Sequence, residues 1–208
     1  MQADNFQNSE GQEVKSDFTL DGKIISLLNF LELHLPDFPS KMKVVENTDE
    51  RIINQKLLRF FSGQNSLFIF IPENLDEKGE NISKPDFGVY EEIKVADYDQ
   101  QRFFDIECKR LYDKNKSKQY VSGKTGGIQR FKENKHGVNL PYSAMIGYVE
   151  IKDFKFWHKK VNSWIAENEN EEHLQFVEIN RIAKLKSTHK RNKEKTKIEL
   201  IHFWVNIN

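Results

Sequence analysis

Apolar residues recur at helical spacing in three stretches of the chain. Ile24, Leu27, Leu28 and Leu31 predict a helix over residues 23–35, stopped by Pro36 and Pro39. Ile52, Ile53, Leu57, Leu58 and Phe61 predict a second over 49–61, capped by Thr48 or Asp49 and closed by Gly63. Phe154, Trp157, Val161 and Trp164 or Ile165 predict a third, which starts at Asp153 and runs to about Glu167. A shorter helix is expected from Ile128 to Lys135, after Gly126-Gly127 and before Gly137.

Elsewhere the pattern changes to short apolar or alternating runs. Ser66 to Ile71 and Tyr142 to Ile151 read as buried strands. Asp86 to Tyr90 and Arg102 to Lys109 read as two more, joined by the polar segment 91–101 and suited to antiparallel pairing. Residues 174–187 and 197–207 are strand-like, with the basic loop His189 to Lys195 between them. The expected fold is α/β, a mixed central sheet flanked by helices with a C-terminal β-hairpin. Residues 1–22 are polar and acidic and are expected to lack fixed structure. No Gly/Ser/Pro-rich linker divides 23–208, which reads as one domain.

Composition narrows the class. Sixteen phenylalanines in 208 residues imply a packed interior. One cysteine excludes an intrachain disulfide framework and a thiolate zinc cluster, and a reducing cytoplasm is the expected location. No apolar run has membrane-spanning length, and no basic segment followed by an apolar one marks a signal peptide. The glycine-rich phosphate loops, the Gly-x-Ser-x-Gly elbow and the HExxH metal motif are all missing from the sequence.

Net charge is zero, but it is divided unevenly. Residues 1–108 hold 11 Lys/Arg and 21 Asp/Glu, whereas residues 109–208 hold 21 and 11. The densest basic stretch, 109–135, has nine Lys/Arg against Asp113 and Glu133. Such a stretch suits a phosphate backbone, and equally a solvated face.

This basic stretch begins where the chemistry is most legible. Lys84-Pro85-Asp86 is followed by Phe104-Asp105-Ile106-Glu107-Cys108-Lys109. With a period of two, Asp105, Glu107 and Lys109 share one strand face, and Phe104, Ile106 and Cys108 the other. Asp86 and Glu107 on neighbouring strands offer hard oxygen donors to a divalent cation, with Lys109 beside them. The cluster is expected to be solvated, so that removing either carboxylate costs little stability. The plain alternative is a solvent-facing strand with ordinary charges.

The combination of Pro85-Asp86, Glu107-x-Lys109 and the helix carrying Gln129 resembles the PD-(D/E)XK nuclease superfamily, over about eighty residues from Glu50 to Arg130. The resemblance implies a restriction endonuclease-like fold and a metal-dependent nuclease that hydrolyses phosphodiester bonds. It implies Asp86 and Glu107 as ligands of Mg²⁺, with Mn²⁺ as a substitute, and Lys109 as the residue that positions water and offsets charge. Glu50 is an auxiliary ligand on this reading, or else a first-turn glutamate that favours its helix dipole. Gln129 would lie near the site. Lys114, Lys116, Lys118, Lys124, Arg130, Lys190 and Arg191 are the expected backbone contacts. DNA is the expected substrate ahead of RNA, and a homodimer is one way to cut both strands. A non-catalytic nucleic-acid-binding or assembly module of the same fold, and an RNase, are the alternatives.

Overall fold

The computed structural model describes residues 21–64, 67–72, 84–91, 102–123, 125–167, 173–179, 181–192 and 196–207. The expected N-terminal segment therefore lies almost wholly outside the described residues. In chain order the elements are α1 (Gly22–His34), α2 (Phe38–Lys41), α3 (Glu50–Ser62), β1 (Phe68–Pro72), β2 (Phe87–Glu91), β3 (Phe104–Leu111), α4 (Gly127–Lys132), β4 (Tyr142–Val149), α5 (Phe154–Ile165), β5 (Gln175–Ile179), β6 (Ile182–Lys190) and β7 (Lys197–Asn206). Short 3₁₀ turns cover Leu35–Asp37 and Lys116–Tyr120.

Side-chain caps explain where the long helices begin. Asp21, Asp49 and Asp153 each accept a backbone N–H of the first turn, from Lys23, Arg51 and Phe156. Helix α1 ends at His34, just before Pro36 as expected, but a further turn continues the helical path. Pro36 sits at the start of the 3₁₀ turn, where its missing N–H costs nothing, and α2 follows directly.

The strands form one seven-stranded mixed sheet in the order β1-β2-β3-β4-β7-β6-β5. The β1/β2 and β2/β3 pairs are antiparallel, β3/β4 and β4/β7 are parallel, and β6 pairs antiparallel with both β7 and β5. The C-terminal hairpin is thus part of the main sheet, and β7 is one of its central strands. The stretch 174–187, which reads as continuous, is divided between β5 and the start of β6.

Alternation along the central strands builds two cores. Phe104, Ile106 and Cys108 of β3 join Ile146, Tyr148 and Phe203 beneath α1, α2 and α3. Met145, Leu200 and Trp204 point the other way and pack with Ile128, Phe131, Trp157 and Trp164 of α4 and α5. Asp105, Glu107 and Lys109 share this second side of β3, and all three are buried. Among the described residues no helix is long and apolar enough to cross a membrane.

Candidate active site

The β2/β3 register brings the acidic residues together. Gly88 pairs with Asp105 and Phe87 with Ile106, and Asp86 comes just before this paired stretch, close to the strand that carries Glu107. Asp86 is partly buried, just before β2, and its Oδ2 accepts the backbone N–H of Cys108 at 2.7 Å. That bond anchors Asp86 to the strand that carries Glu107. Burial raises the Asp86 carboxyl to about 6, helped by the neighbouring charge of Glu107 and opposed by Lys109, the Cys108 amide and Arg130.

Glu107 is only 1% exposed, so the cluster is not the solvated one expected. A buried carboxylate needs partners, and it has them. Its Oε1 lies 2.8 Å from the Lys109 ammonium and 3.1 Å from Nη1 of Arg130. Its Oε2 is 3.4 Å from Nδ1 of His136.

Lys109 is equally fixed. Nζ donates to the Cys108 carbonyl at 2.8 Å and to Oε1 of Glu50 at 3.2 Å, besides contacting Glu107. Burial by itself lowers the Lys109 pKa, but Glu107, Glu50 and Asp86 outweigh it and hold the ammonium well above its ordinary value. Lys109 is therefore held as a local cation by its acidic neighbours. Glu50 reaches the site from the first turn of α3, and its other oxygen accepts the Arg110 N–H at 3.0 Å. With both oxygens taken by protein donors, Glu50 buttresses Lys109.

Helix α4 supplies Arg130, not Gln129, to this cluster. The Gln129 amide donates to Glu133 at 2.7 Å, one turn on, while Arg130 reaches Glu107. The double glycine serves packing. A Cβ on Gly126 would lie 2.5 Å from the Ser122 backbone, and one on Gly127 would lie 2.3 Å from Cε of Met145.

The expected phosphate contacts divide. Lys114, Lys116 and Lys190 are exposed, and Lys118 is ion-paired with Glu167 at the surface. Lys124 lies outside the described residues. Arg191 is 3% exposed, and its guanidinium donates to the carbonyls of Phe131, Gly137 and Leu140 and to Oδ1 of Asn134. It is committed to the loop between α4 and β4, which removes it from the phosphate-contacting set.

That loop brings in His136, which the sequence marks only as a histidine near a helix end that complements the helix dipole. His136 is fully buried beside Glu107, with its ring edge-on to Phe131. Burial lowers its pKa to about 3, reinforced by the charges of Arg130, Lys109 and Arg102, so the ring is neutral. In the sequence His136 is a lone histidine near a helix end, 29 positions from Glu107, and nothing in that spacing marks it.

Among the described residues, no three His, Cys, Asp or Glu side chains are grouped as a ready-made metal cage. Asp86 and Glu107 are close enough to influence each other electrostatically, and Asp86 takes up a proton more readily than usual because of burial and that neighbouring charge. Mg²⁺ is typically held by one or two carboxylates and keeps several waters. Here Glu107 already meets Lys109 and Arg130 through Oε1, and Asp86 Oδ2 accepts the Cys108 N–H, so a cation would have to share these oxygens with protein donors. No protein-family model matches the chain, and neither a curated protein nor a solved structure does.

Proposed function

We propose that this chain is a metal-dependent nuclease of the PD-(D/E)XK type, acting on DNA, with a restriction endonuclease-like fold. The observation that carries the proposal is the bond from the Cys108 N–H to Asp86, which ties Asp86 to the strand carrying Glu107, with the Lys109 ammonium 2.8 Å from Glu107 on the same strand face. A mixed sheet with helices on both faces is consistent with that fold.

On this reading Asp86 and Glu107 hold Mg²⁺, or Mn²⁺ in its place. The bound cation would supply an acidified water and neutralise phosphate charge. Lys109 acts through its fixed positive charge, because Glu107, Glu50 and the Cys108 carbonyl engage its donors and keep it protonated. A preorganised cation needs no rearrangement when negative charge grows on the phosphate. Glu50 keeps Lys109 in place. Arg130 adds a second positive group on the side of α4, and the exposed Lys114, Lys116 and Lys190 are available to the backbone.

The test is cleavage of end-labelled DNA and RNA, side by side, with Mg²⁺, Mn²⁺ or EDTA. The expected result is cleavage that needs the cation, prefers DNA and disappears in Asp86→Asn and Glu107→Gln. Metal-dependent cleavage of RNA alone would move the proposal to an RNase. Binding without cleavage of either would favour a non-catalytic module.

A further inference from the structure

Two cations share one oxygen of Glu107. Its Oε1 lies 2.8 Å from the Lys109 ammonium and accepts Nη1 of Arg130 at 3.1 Å. The two cations are held very differently. The Lys109 side chain is 8% exposed, and Nζ also donates to Oε1 of Glu50 at 3.2 Å and to the Cys108 carbonyl at 2.8 Å. Its backbone lies in the sheet, paired with Gly147 of β4. The Arg130 side chain is 19% exposed and reaches Glu107 from α4, a six-residue helix. Among the described residues Glu107 is the acceptor of this guanidinium, and the Arg130 Nε, though buried, donates to none. Lys109 would give up three partners by leaving Glu107, whereas Arg130 would give up one.

A guanidinium carries five N–H donors in a planar fork, which matches a phosphate as well as a carboxylate. A buried donor without an acceptor is costly, and a phosphate supplies acceptors. A divalent cation on Glu107 would meet the positive charge of Arg130 at the same carboxylate, and like charges at that range repel. We propose that Arg130 is an exchangeable counter-ion, which neutralises Glu107 in the free chain and moves to a phosphate of the nucleic acid when a divalent cation takes its place on Glu107. This proposal rests on the nuclease reading of the Asp86–Glu107 pair. Its consequence is coupling between the two ligands. The cation releases Arg130 and the phosphate engages it, so each ligand tightens the other by the same factor, typically about 5–150-fold.

The test uses the full chain, Mn²⁺ as the cation probe and a short DNA duplex with phosphorothioate linkages, which resist hydrolysis. Mn²⁺ affinity is measured by calorimetry for wild type and Arg130→Gln, with and without saturating duplex. Without duplex, Arg130→Gln should bind Mn²⁺ at least about fivefold more tightly than wild type, because the competing cation is gone. With duplex the two should agree within about twofold, because Arg130 of the wild type has by then left Glu107. With Mn²⁺ present, the log-log salt slope of duplex binding should be shallower by about 0.9 in Arg130→Gln, which has one phosphate contact fewer. A fixed ion pair would instead let the variant gain Mn²⁺ affinity equally with and without duplex. That result, equal Mn²⁺ affinity of the two proteins without duplex, or equal salt slopes would each overturn the exchange while leaving the nuclease reading intact. Arg130→Met, which keeps the apolar stem, repeats the series if Arg130→Gln does not fold. Failure of both to fold would make Arg130 a structural counter-ion and overturn the exchange as well. A wild-type chain that neither binds Mn²⁺ nor cleaves unmodified DNA in its presence would overturn both readings.

Discussion

Lys109 holds its ammonium 2.8 Å from Oε1 of Glu107, two positions back on the same strand face. The two are buried together, so each is the other's counter-ion. Removing one partner leaves an uncompensated charge, which typically costs about 3–5 kcal/mol. Glu50 still offsets Lys109 at 3.2 Å, although Arg130 also loses its partner, so Glu107→Ala should lose about 3 kcal/mol and lower the melting temperature by roughly 6–12 °C. Glu107→Gln, which keeps the shape, should lose less, and both should abolish cleavage. Circular dichroism melts beside a cleavage assay check this. An unchanged melting temperature in Glu107→Ala would mean that the cluster is solvated, as the sequence alone suggested.

Asp86 should respond with the opposite sign. Its folded carboxyl titrates near 6, above the ordinary value of 3.8. The folded state then binds a proton that the unfolded state has released, so stability falls as pH rises between about 4 and 6. Above that window the full penalty remains. Asp86→Asn removes it and should stabilise the cation-free protein at pH 7 by about 1–2 kcal/mol, allowing for the partial exposure of the group. It should also abolish cleavage and the stabilisation that Mg²⁺ gives the wild type. Loss of stability at pH 7 in Asp86→Asn, without cation, would contradict the strained-carboxylate account.

Much of this arrangement is written locally. Asp49 and Asp153 announce their helices, and the alternation of Phe104 to Lys109 gives the faces of β3 before any fold is known. The antiparallel pairing of β2 with β3 follows from two adjacent strands and a short polar connection. What is not written locally is burial. That Glu107 is covered depends on α4, on the Glu133–Pro141 loop and on Arg191, which arrive from well beyond the motif. Arg191 reads as one more charge in a basic loop, since its four acceptors lie 51 to 60 residues away. The place of β7 between β4 and β6 is likewise a tertiary choice with no local signal.

The buried histidines should make the protein sensitive to acid. His202 is fully buried, 2.8 Å from the Tyr120 hydroxyl through Nδ1 and 2.8 Å from the Ser187 hydroxyl through Nε2. Burial holds its pKa well below 6.5, and His136 is held at about 3. The unfolded chain takes up these protons first, so stability falls as pH drops below about 6.5. Asp86 works against this between 6 and 4, but it is one group against two. The melting temperature should therefore fall from pH 7 to pH 5. His202→Gln should be less stable at pH 7.5 yet change less over the same interval. Trp204 donates to Tyr120 and gives a fluorescence signal inside this network. An unaltered pH slope in the variant would place the acid sensitivity elsewhere.

The basic residues should separate into those that meet phosphate and one that holds the fold. Lys114 and Lys116 are exposed beside the 3₁₀ turn that follows β3, and Lys118 must give up Glu167 before it can meet a phosphate. In an inactive Asp86→Asn background, changing all three to glutamine should weaken DNA binding and flatten its salt dependence. Each lost contact lowers the log-log slope by about 0.9 on duplex DNA, so the change should lie between about 1.8 and 2.7. Base preference should not move, because backbone contacts carry no sequence information directly. Arg191→Lys should do the reverse. A lysine cannot serve four acceptors arranged around a guanidinium, so the melting temperature should fall while the salt slope of the folded protein stays the same. Affinity measured across a salt series, with each variant held well below its melting temperature, distinguishes the two. An unchanged slope in the triple variant would remove 114–118 from the nucleic-acid surface and leave Lys190 and Arg130 as the places to look.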